Sequence, residues 1–441
     1  MTTVQLTPEA AGLPGFDETL LARIGGAAEP ALLQEKRAAA FAQYRELPMP
    51  QVRDEEWRRT DPALFPFDRF APSPRLTPVP RALAASPWDE EFDVVVCVSD
   101  DGFSIHDRTG LLNSGSLVVL SLADAATRHP ALVERYLQGA ARVKAPRKFS
   151  ALGDAFWTFG LFIHVAPRVV VPNGVLIRYQ HRAAGKAVLP HLVAAVSDEA
   201  QLTIAEYYES PADAELLAVS TRELYAGRNA TLRAASLQEW GARTYHIGED
   251  WVRAERDARV EWVTLLLGGQ VSKMMVSCDV HEPNAQAYLS GLFFANDNQH
   301  VDQRTLQLHS APHTYSNLLY KGAVKDQGHS VYQGIIDAAP GAIKVDAYQM
   351  NKNLILNEGA RADSLPGLEI DADDLKCSHG ATMGNLDESQ MFYLRSRGLP
   401  EAEARRLLVM AFFEEVIERV PHEFMRERVR EDVRRKCGEG A

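Results

Sequence analysis

Residues 229–287 read NATLRAASLQEWGARTYHIGEDWVRAERDARVEWVTLLLGGQVSKMMVSCDVHEPNAQA. Within them Asn229-Ala230-Thr231-Leu232, Asp257-Ala258-Arg259-Val260 and Asn284-Ala285-Gln286-Ala287 recur about twenty-eight residues apart. Each is a polar turn residue, a small residue and the start of a short run. A turn-plus-strand unit repeated at such a period is what a stacked β-solenoid requires, because each coil buries its inner face only against its neighbours. Runs beginning Gly341-Ala342-Ile343 and Gly359-Ala360-Arg361 extend the pattern. A β-sandwich or barrel would also give many short strands between turn residues. Hairpin signals are scarce, however, with only Pro172-Asn173-Gly174 offering one, and this favours the solenoid. The chain is therefore expected to be mainly β, with a parallel β-helix core over residues 161–386. An open solenoid leaves unpaired strand edges, so partner strands or flanking helices are expected to cover them.

Outward from this core the texture changes. Residues 1–160 are expected to form a mostly helical, mixed α and β domain. Pro30 to Leu47 is rich in good helix formers with Pro30 suited to the first turn, and Glu55 to Arg59 forms a second short helical stretch. Six prolines fall between Pro62 and Pro80, too many missing donors for a helix or central strand, and mark a linker or extended wrap. Phe92 to Val98 and Ser116 to Ser121 read as strands, and Leu122 to Gly139 as a helix. Residues 387–441 are expected to form a C-terminal helical domain. Asp387 with Gln390 resembles a capping box, Gly398 stops that helix, and Pro400 opens a longer one. On the longer helix Val409, Phe412, Phe413, Val416 and Val420 form an apolar stripe, widened by Leu407, Leu408 and Met410. Such a stripe either packs on its own domain or docks a partner.

The composition narrows the function classes. At 441 residues, 46% hydrophobic and 24% charged, the chain is an ordinary globular one with room for two or three domains. Its net charge of −12 argues against general nucleic-acid binding. The Arg-rich end is no exception, with ten basic and ten acidic residues interspersed from Arg397 onward. Four cysteines, none in a CxxC pair, fit a reducing cytoplasm. The first thirty residues lack a signal-peptide layout, and no apolar run approaches membrane-spanning length, so membrane insertion is not expected. No GxxxxGK[ST], GxGxxG or GxSxG occurs, so nucleotide binding by this chain and serine hydrolysis have no motif support.

Three groups of residues could carry chemistry. Cys377 and His379, two apart in a run that reads as a strand, should leave one face together. A thiol beside an imidazole suits iron or sulfur chemistry, although each residue could equally be structural. His300, His309 and His313, with Asp302 as carboxylate, suggest a mononuclear iron site and hence an autonomous metalloenzyme, but Pro312 interrupts the strand. Glu369, Asp371, Asp373 and Asp374 offer an acid and base for a β-helical polysaccharide enzyme, or simply a solvated turn.

The string LEIDADDLKCSHGATMGNLDESQMFYLRSRGLPEAEARRLLVMAFFEEV, from Leu368, strongly resembles the C-terminal signature of the SufB/SufD family of iron–sulfur cluster assembly proteins. HSAPHTYSNLLYKGAV from His309, VDAYQMNKNLILNEGARADSLP from Val345 and LPMPQVRDEEWRRTD from Leu47 support it. Within the family the Cys-Ser-His-Gly run at 377–380 resembles the SufD branch, since SufB carries glutamate where Gly380 stands and its essential cysteine where Met350 stands.

The resemblance implies a non-enzymatic scaffold with a right-handed parallel β-helix flanked by helical domains. It implies pairing through the β-helix with a SufB-like subunit, and leaves room for a homodimer when the chain is alone. It further implies a SufC-like ATPase docked on the C-terminal helices, which assigns the stripe Val409, Phe412, Phe413, Val416 and Val420 to that region. His379 is then the expected interface ligand or iron-entry residue, with Cys377 beside it as the weaker candidate. A transient cluster or iron would sit between subunits as cargo, and a flavin, if bound at all, would belong to the assembled complex.

Overall fold

The structure is a computed structural model that describes residues 12–26, 29–139 and 147–438. The N-terminal stretch read for a signal peptide lies partly outside these, as do the last three residues of the C-terminal helical region. The first helices are α1 (Glu18–Gly25) and α2 (Ala31–Glu46). The Pro-rich segment that follows makes two short 3₁₀ turns, Pro62–Leu64 and Phe67–Arg69, before contributing β1 (Ala71–Pro72). Then come β2 (Val94–Ser99), β3 (Gly102–Asp107), β4 (Leu117–Ser121), α3 (Leu122–Arg128), α4 (Pro130–Tyr136) and α5 (Lys148–Phe156).

The coils begin with β5 (Phe159–Val165), β6 (Val175–Gln180), β7 (Lys186–Val188), β8 (Pro190–Val196) and β9 (Gln201–Glu209). They continue with β10 (Leu216–Ala226), β11 (Thr231–Glu239), β12 (Thr244–Ala254), β13 (Arg259–Leu266), β14 (Val271–Val280) and β15 (Gln286–Ala295). The last coils are β16 (His300–His309), β17 (Tyr315–Val324), β18 (His329–Ala338), β19 (Asp346–Ile355), β20 (Arg361–Ile370) and β21 (Lys376–Gly384). Three helices close the chain, α6 (Glu388–Ser396), α7 (Glu401–Ile417) and α8 (Glu423–Lys436).

The strands alternate between two sheets. One runs β20-β18-β16-β14-β12-β10-β8-β5-β4 and the other β21-β19-β17-β15-β13-β11-β9-β6-β2-β3, and all neighbours are parallel except β2 with β3 and β4 with β5. This is a parallel β-solenoid of about eight turns. The repeats in the sequence are its corners. Asn229, Asp257 and Asn284 each hold a left-handed backbone, with φ of 55°, 59° and 63°, which short polar residues tolerate best. The alanine after each, Ala230, Ala258 and Ala285, is completely buried, because only a small side chain fits inside the bend. Asn284 Nδ2 donates to Asp257 Oδ1 at 3.0 Å, linking one corner to the next. Gly359, φ 101°, belongs to the other corner, before β20, so the repeated small-residue turns are of two kinds.

Helices cover both outer faces. Val409, Phe413, Val416 and Ile417 of α7, with Met425 and Val429 of α8, pack on Leu265, Leu292 and Phe294 of the second sheet. Phe16, just before α1, Leu20 of α1 and Phe41 of α2 pack with Phe149, Leu152 and Phe156 of α5 on the first sheet.

Three local readings are corrected. Glu55 to Arg59 is a series of turns, although Glu55 does pair with Arg58 and Arg59. Leu122 to Gly139 is two helices rather than one, because Pro130 has no amide to continue the first and instead opens the second. Pro30 stands one position before the first helical residue, as the N-cap of α2.

Candidate functional site

The two ends of the solenoid differ. At the start the edges are turned back by antiparallel strands, β3 on β2 and β4 on β5. At the other end β20 and β21 each hydrogen-bond a neighbour on one side only, among the described residues. Their free edges present unpaired N–H and C=O groups, a template for strand addition.

Cys377 and His379 lie on β21, where they pair in register with Ala347 and Gln349. Gln349 in turn pairs with Leu318, one of the side chains that fill the interior of the solenoid. The two residues therefore share a face, as the spacing predicts, and that face is the interior at the open end. His379 is exposed there, while Cys377 is half-buried against Ile336, Ala342, Val345 and Ala347. Burial first, and the Asp346 carboxylate second, push the Cys377 thiol up, so it is held in the protonated form. On the facing strand Leu368 and Ile370 are 39% and 37% exposed, and Met383 on β21 is 50% exposed. Among the described residues, interior side chains are thus open to solvent at this end.

Gly380 and Met350 are also neighbours in register, but on the opposite face, which is covered by α7. A Cβ on Gly380 would stand 2.7 Å from Met350 Cε. These positions therefore cannot supply ligands to the Cys377/His379 face whatever residue occupies them. The pair lacks further ligands because of strand alternation as well as residue type.

The three-histidine metal site is overturned. His300 and His309 stand at opposite ends of a ten-residue strand, about 30 Å apart. His300 is buried beneath the N-terminal segment, where its Nε2 lies 2.9 Å from Thr60 Oγ1. His309 is inside the solenoid, its ring nitrogens 2.7 Å from Thr314 Oγ1 and 2.8 Å from Ser316 Oγ. His313 is exposed at a corner with φ 59°. Asp302 is neutralised by Lys273, 2.5 Å away. The acidic run is a solvated turn, in which Asp374 pairs with Lys344 at 2.5 Å.

One group does converge that sequence reasoning missed. Asp154 on α5, His191 on β8 and Glu223 on β10 are buried together, and His191 Nε2 lies 3.0 Å from Glu223 Oε1. Glu223 also accepts from Gln138 N at 2.9 Å and Tyr225 Oη at 3.0 Å. No spacing in the sequence unites residues on three separate elements.

The stripe on α7 also needs correction. Val409, Phe413 and Val416 are completely buried against this chain's own sheet, as is Val420, which lies three residues beyond the end of α7 rather than on it, and Phe412 is partly buried beside them. Lys321 of β17 ties the helix down, donating to Phe412 O at 2.7 Å and pairing with Glu415 at 2.7 Å. These residues face inward because the apolar outer face of the second sheet needs cover. The exposed large apolar side chains of the C-terminal helices, among the described residues, are Phe392 and Tyr393 of α6, 75% and 56% exposed, and Leu407 of α7 at 42%. Helix α6 buries none of its residues and borders an open groove of about 1350 Å³.

Comparisons with known proteins bear on this geometry. A family model described as the SufBD core domain of the SUF system for FeS cluster assembly matches residues 179–412. The iron–sulfur cluster assembly protein SufD of Bacillus subtilis is 27% identical over 417 residues, covering 92% of this chain and 94% of that one. SufD of Escherichia coli is 32% identical over 234 residues, 53% of this chain and 55% of that protein. An iron–sulfur cluster assembly SufBD family protein of Mycobacterium tuberculosis is 39% identical over 208 residues, 45% of this chain and 52% of that protein. The chain thus spans about half the length of the mycobacterial relative it matches. Since the family model covers more than half of the chain, and its match contains the coils that carry Cys377 and His379, this protein belongs to the SufBD family.

Proposed function

We propose that this chain is a non-enzymatic scaffold subunit of an iron–sulfur cluster assembly complex, pairing through the open end of its β-helix with a SufB-like subunit. The observation that carries this reading is the uncapped end. It combines two free strand edges, exposed interior residues and one solvent-facing imidazole, His379. An imidazole at such an edge is a nitrogen donor suited to iron. Its remaining ligands would come from the partner, since none converge on it among the described residues. Cys377, half-covered and protonated, is the weaker donor. The cluster or iron is cargo at this interface.

In the same reading the C-terminal helices dock a SufC-like ATPase, with the contact on the exposed side of α6 and the groove beside it. Aromatic side chains beside a groove are the usual anchors of such contacts. The nucleotide would be the ATPase's own, and any flavin would belong to the assembled complex.

The test is His379→Ala in the complex co-expressed with its SufB-like and SufC-like partners. Cluster yield measured anaerobically should fall about tenfold or more, with unchanged co-purification of all subunits. Normal cluster yield would remove His379 from this role.

A further inference from the structure

Far from the open end, three buried side chains converge on one point. His191 of β8 and Glu223 of β10 lie on the outer face of the first sheet, and Asp154 reaches them from α5, which packs on that face. A Cβ on Gly153 would stand 2.6 Å from Thr221 Oγ1, and Thr221 pairs in register with His191. The glycine lets α5 close directly on this strand pair and brings Asp154 to the imidazole.

The imidazole is held from one side. Its Nε2 lies 3.0 Å from Glu223 Oε1, while Glu223 Oε2 accepts from Gln138 N at 2.9 Å and Tyr225 Oη at 3.0 Å. An ionised carboxylate can only accept, so the proton sits on Nε2 and the neutral ring turns the lone pair of Nδ1 the other way. His191 is 1% exposed, yet its Nδ1 has no hydrogen-bond partner among the described residues. Asp154 Oδ1 stands 3.9 Å from it, beyond hydrogen-bond reach. Asp154 and Glu223 make other contacts as well, and Nδ1 is still left unpaired.

A nitrogen lone pair and a carboxylate oxygen facing one another across such a gap are the donors of a metal site. Zinc binds imidazole nitrogen and carboxylate oxygen at about 2.0–2.2 Å, so an ion between the two atoms touches both nearly as they stand. Closure by about half an ångström gives a tetrahedral angle. The bond from Nε2 to Glu223 completes the pattern, since a ligating imidazole gives its other N–H to a carboxylate that fixes the ring. A cavity of about 320 Å³ beside α2 is lined by His191, Asp154, Lys36, Gln43 and Gln138, while Glu223 stands behind the ring. Water in this cavity can fill the remaining coordination positions.

We propose that His191 Nδ1 and Asp154 bind a divalent first-row cation, with cavity water completing its coordination and Glu223 holding the imidazole from behind. A mixed nitrogen and oxygen donor set of this kind suits zinc, iron(II) or manganese(II). The ion clamps α5 to β8 near the start of the solenoid. His379 is on the last strand, so the failure of this site leaves the proposed function standing, and the reverse also holds.

The test is calorimetric titration of the chelator-treated full chain with zinc chloride. His191→Gln should remove one equivalent of bound zinc, and Glu223→Gln should keep the stoichiometry but weaken that site about 10- to 100-fold. Anomalous scattering at the zinc edge, from zinc-soaked crystals of the native chain, should place an ion between His191 Nδ1 and Asp154 Oδ1. Unchanged stoichiometry in a folded His191→Gln chain would overturn the proposal, as would zinc found only at Cys377 and His379. If His191→Gln does not fold, the anomalous map of the native chain decides alone, and no peak beside His191 at saturating zinc overturns it.

Discussion

Cys377 and His379 share a face of one strand but not an environment. His379 reaches solvent, whereas Cys377 lies against Val345 and Ala347, with Asp346 close enough to oppose its ionisation. Alkylation of Cys377 at pH 8 should therefore be slower than that of an exposed peptide thiol. Asp346→Asn removes the opposing charge, lowers the thiol's pKa and should speed the reaction a few-fold, read by mass spectrometry of the modified peptide. The shared face was legible in the sequence because strand alternation is local. Which of the two would be covered was not, since the covering residues come from β18 and the corner at Ala342, one coil away. The histidines teach the converse lesson. His309 and His313 are four apart, yet β16 ends at His309 and the chain turns, so spacing along a strand loses its meaning at the corner.

Helix α7 shows how far an apolar stripe can be read. Its position was legible from Pro400 and the recurrence of Val409, Phe413, Val416 and Val420, but a stripe does not say which protein it meets. The answer depends on the outer face of the second sheet, where Leu292, Phe294 and Ala323 need cover. Phe413→Ala should cost about 3–5 kcal/mol, measured by denaturant unfolding, because it empties a site between helix and sheet. Phe392→Ala should leave stability within about 0.5 kcal/mol of the native chain and weaken capture of the SufC-like ATPase. If instead Phe413→Ala leaves stability unchanged, the helix is not held as described. Elsewhere Pro130 divides a stretch whose composition otherwise reads as one helix, an instance of a single missing amide outweighing propensity.

At the scale of the molecule the two ends of the solenoid differ, and the proposed pairing uses the end whose strand edges are left unpaired among the described residues. Ile370→Lys with Met383→Lys places charge among the exposed interior residues of the open end, and should abolish co-purification with the SufB-like subunit while leaving the melting temperature nearly unchanged. Retained co-purification would place the interface elsewhere. Acid should also weaken the fold. Burial holds His300 and His309 down to about 4, so the folded chain protonates them only near that pH, while the unfolded chain does so from about 6.5. Between these values the unfolded state binds more protons, and stability falls as pH falls through the window, by roughly 2 kcal/mol per histidine at pH 5. Thermal unfolding scans from pH 7 to pH 5 should show this loss, and His309→Gln should reduce it. The sequence by itself determined the solenoid, since a left-handed polar residue followed by a buried alanine recurs at Asn229, Asp257 and Asn284 with the period of one coil, and it determined that Cys377 and His379 share a face, since alternation is a property of the strand. Only the tertiary structure decided which end stays open, which face α7 covers and why Gly380 and Met350 cannot serve His379. Those depend on register between coils far apart in the chain, where shape and burial rather than local pattern select the partner.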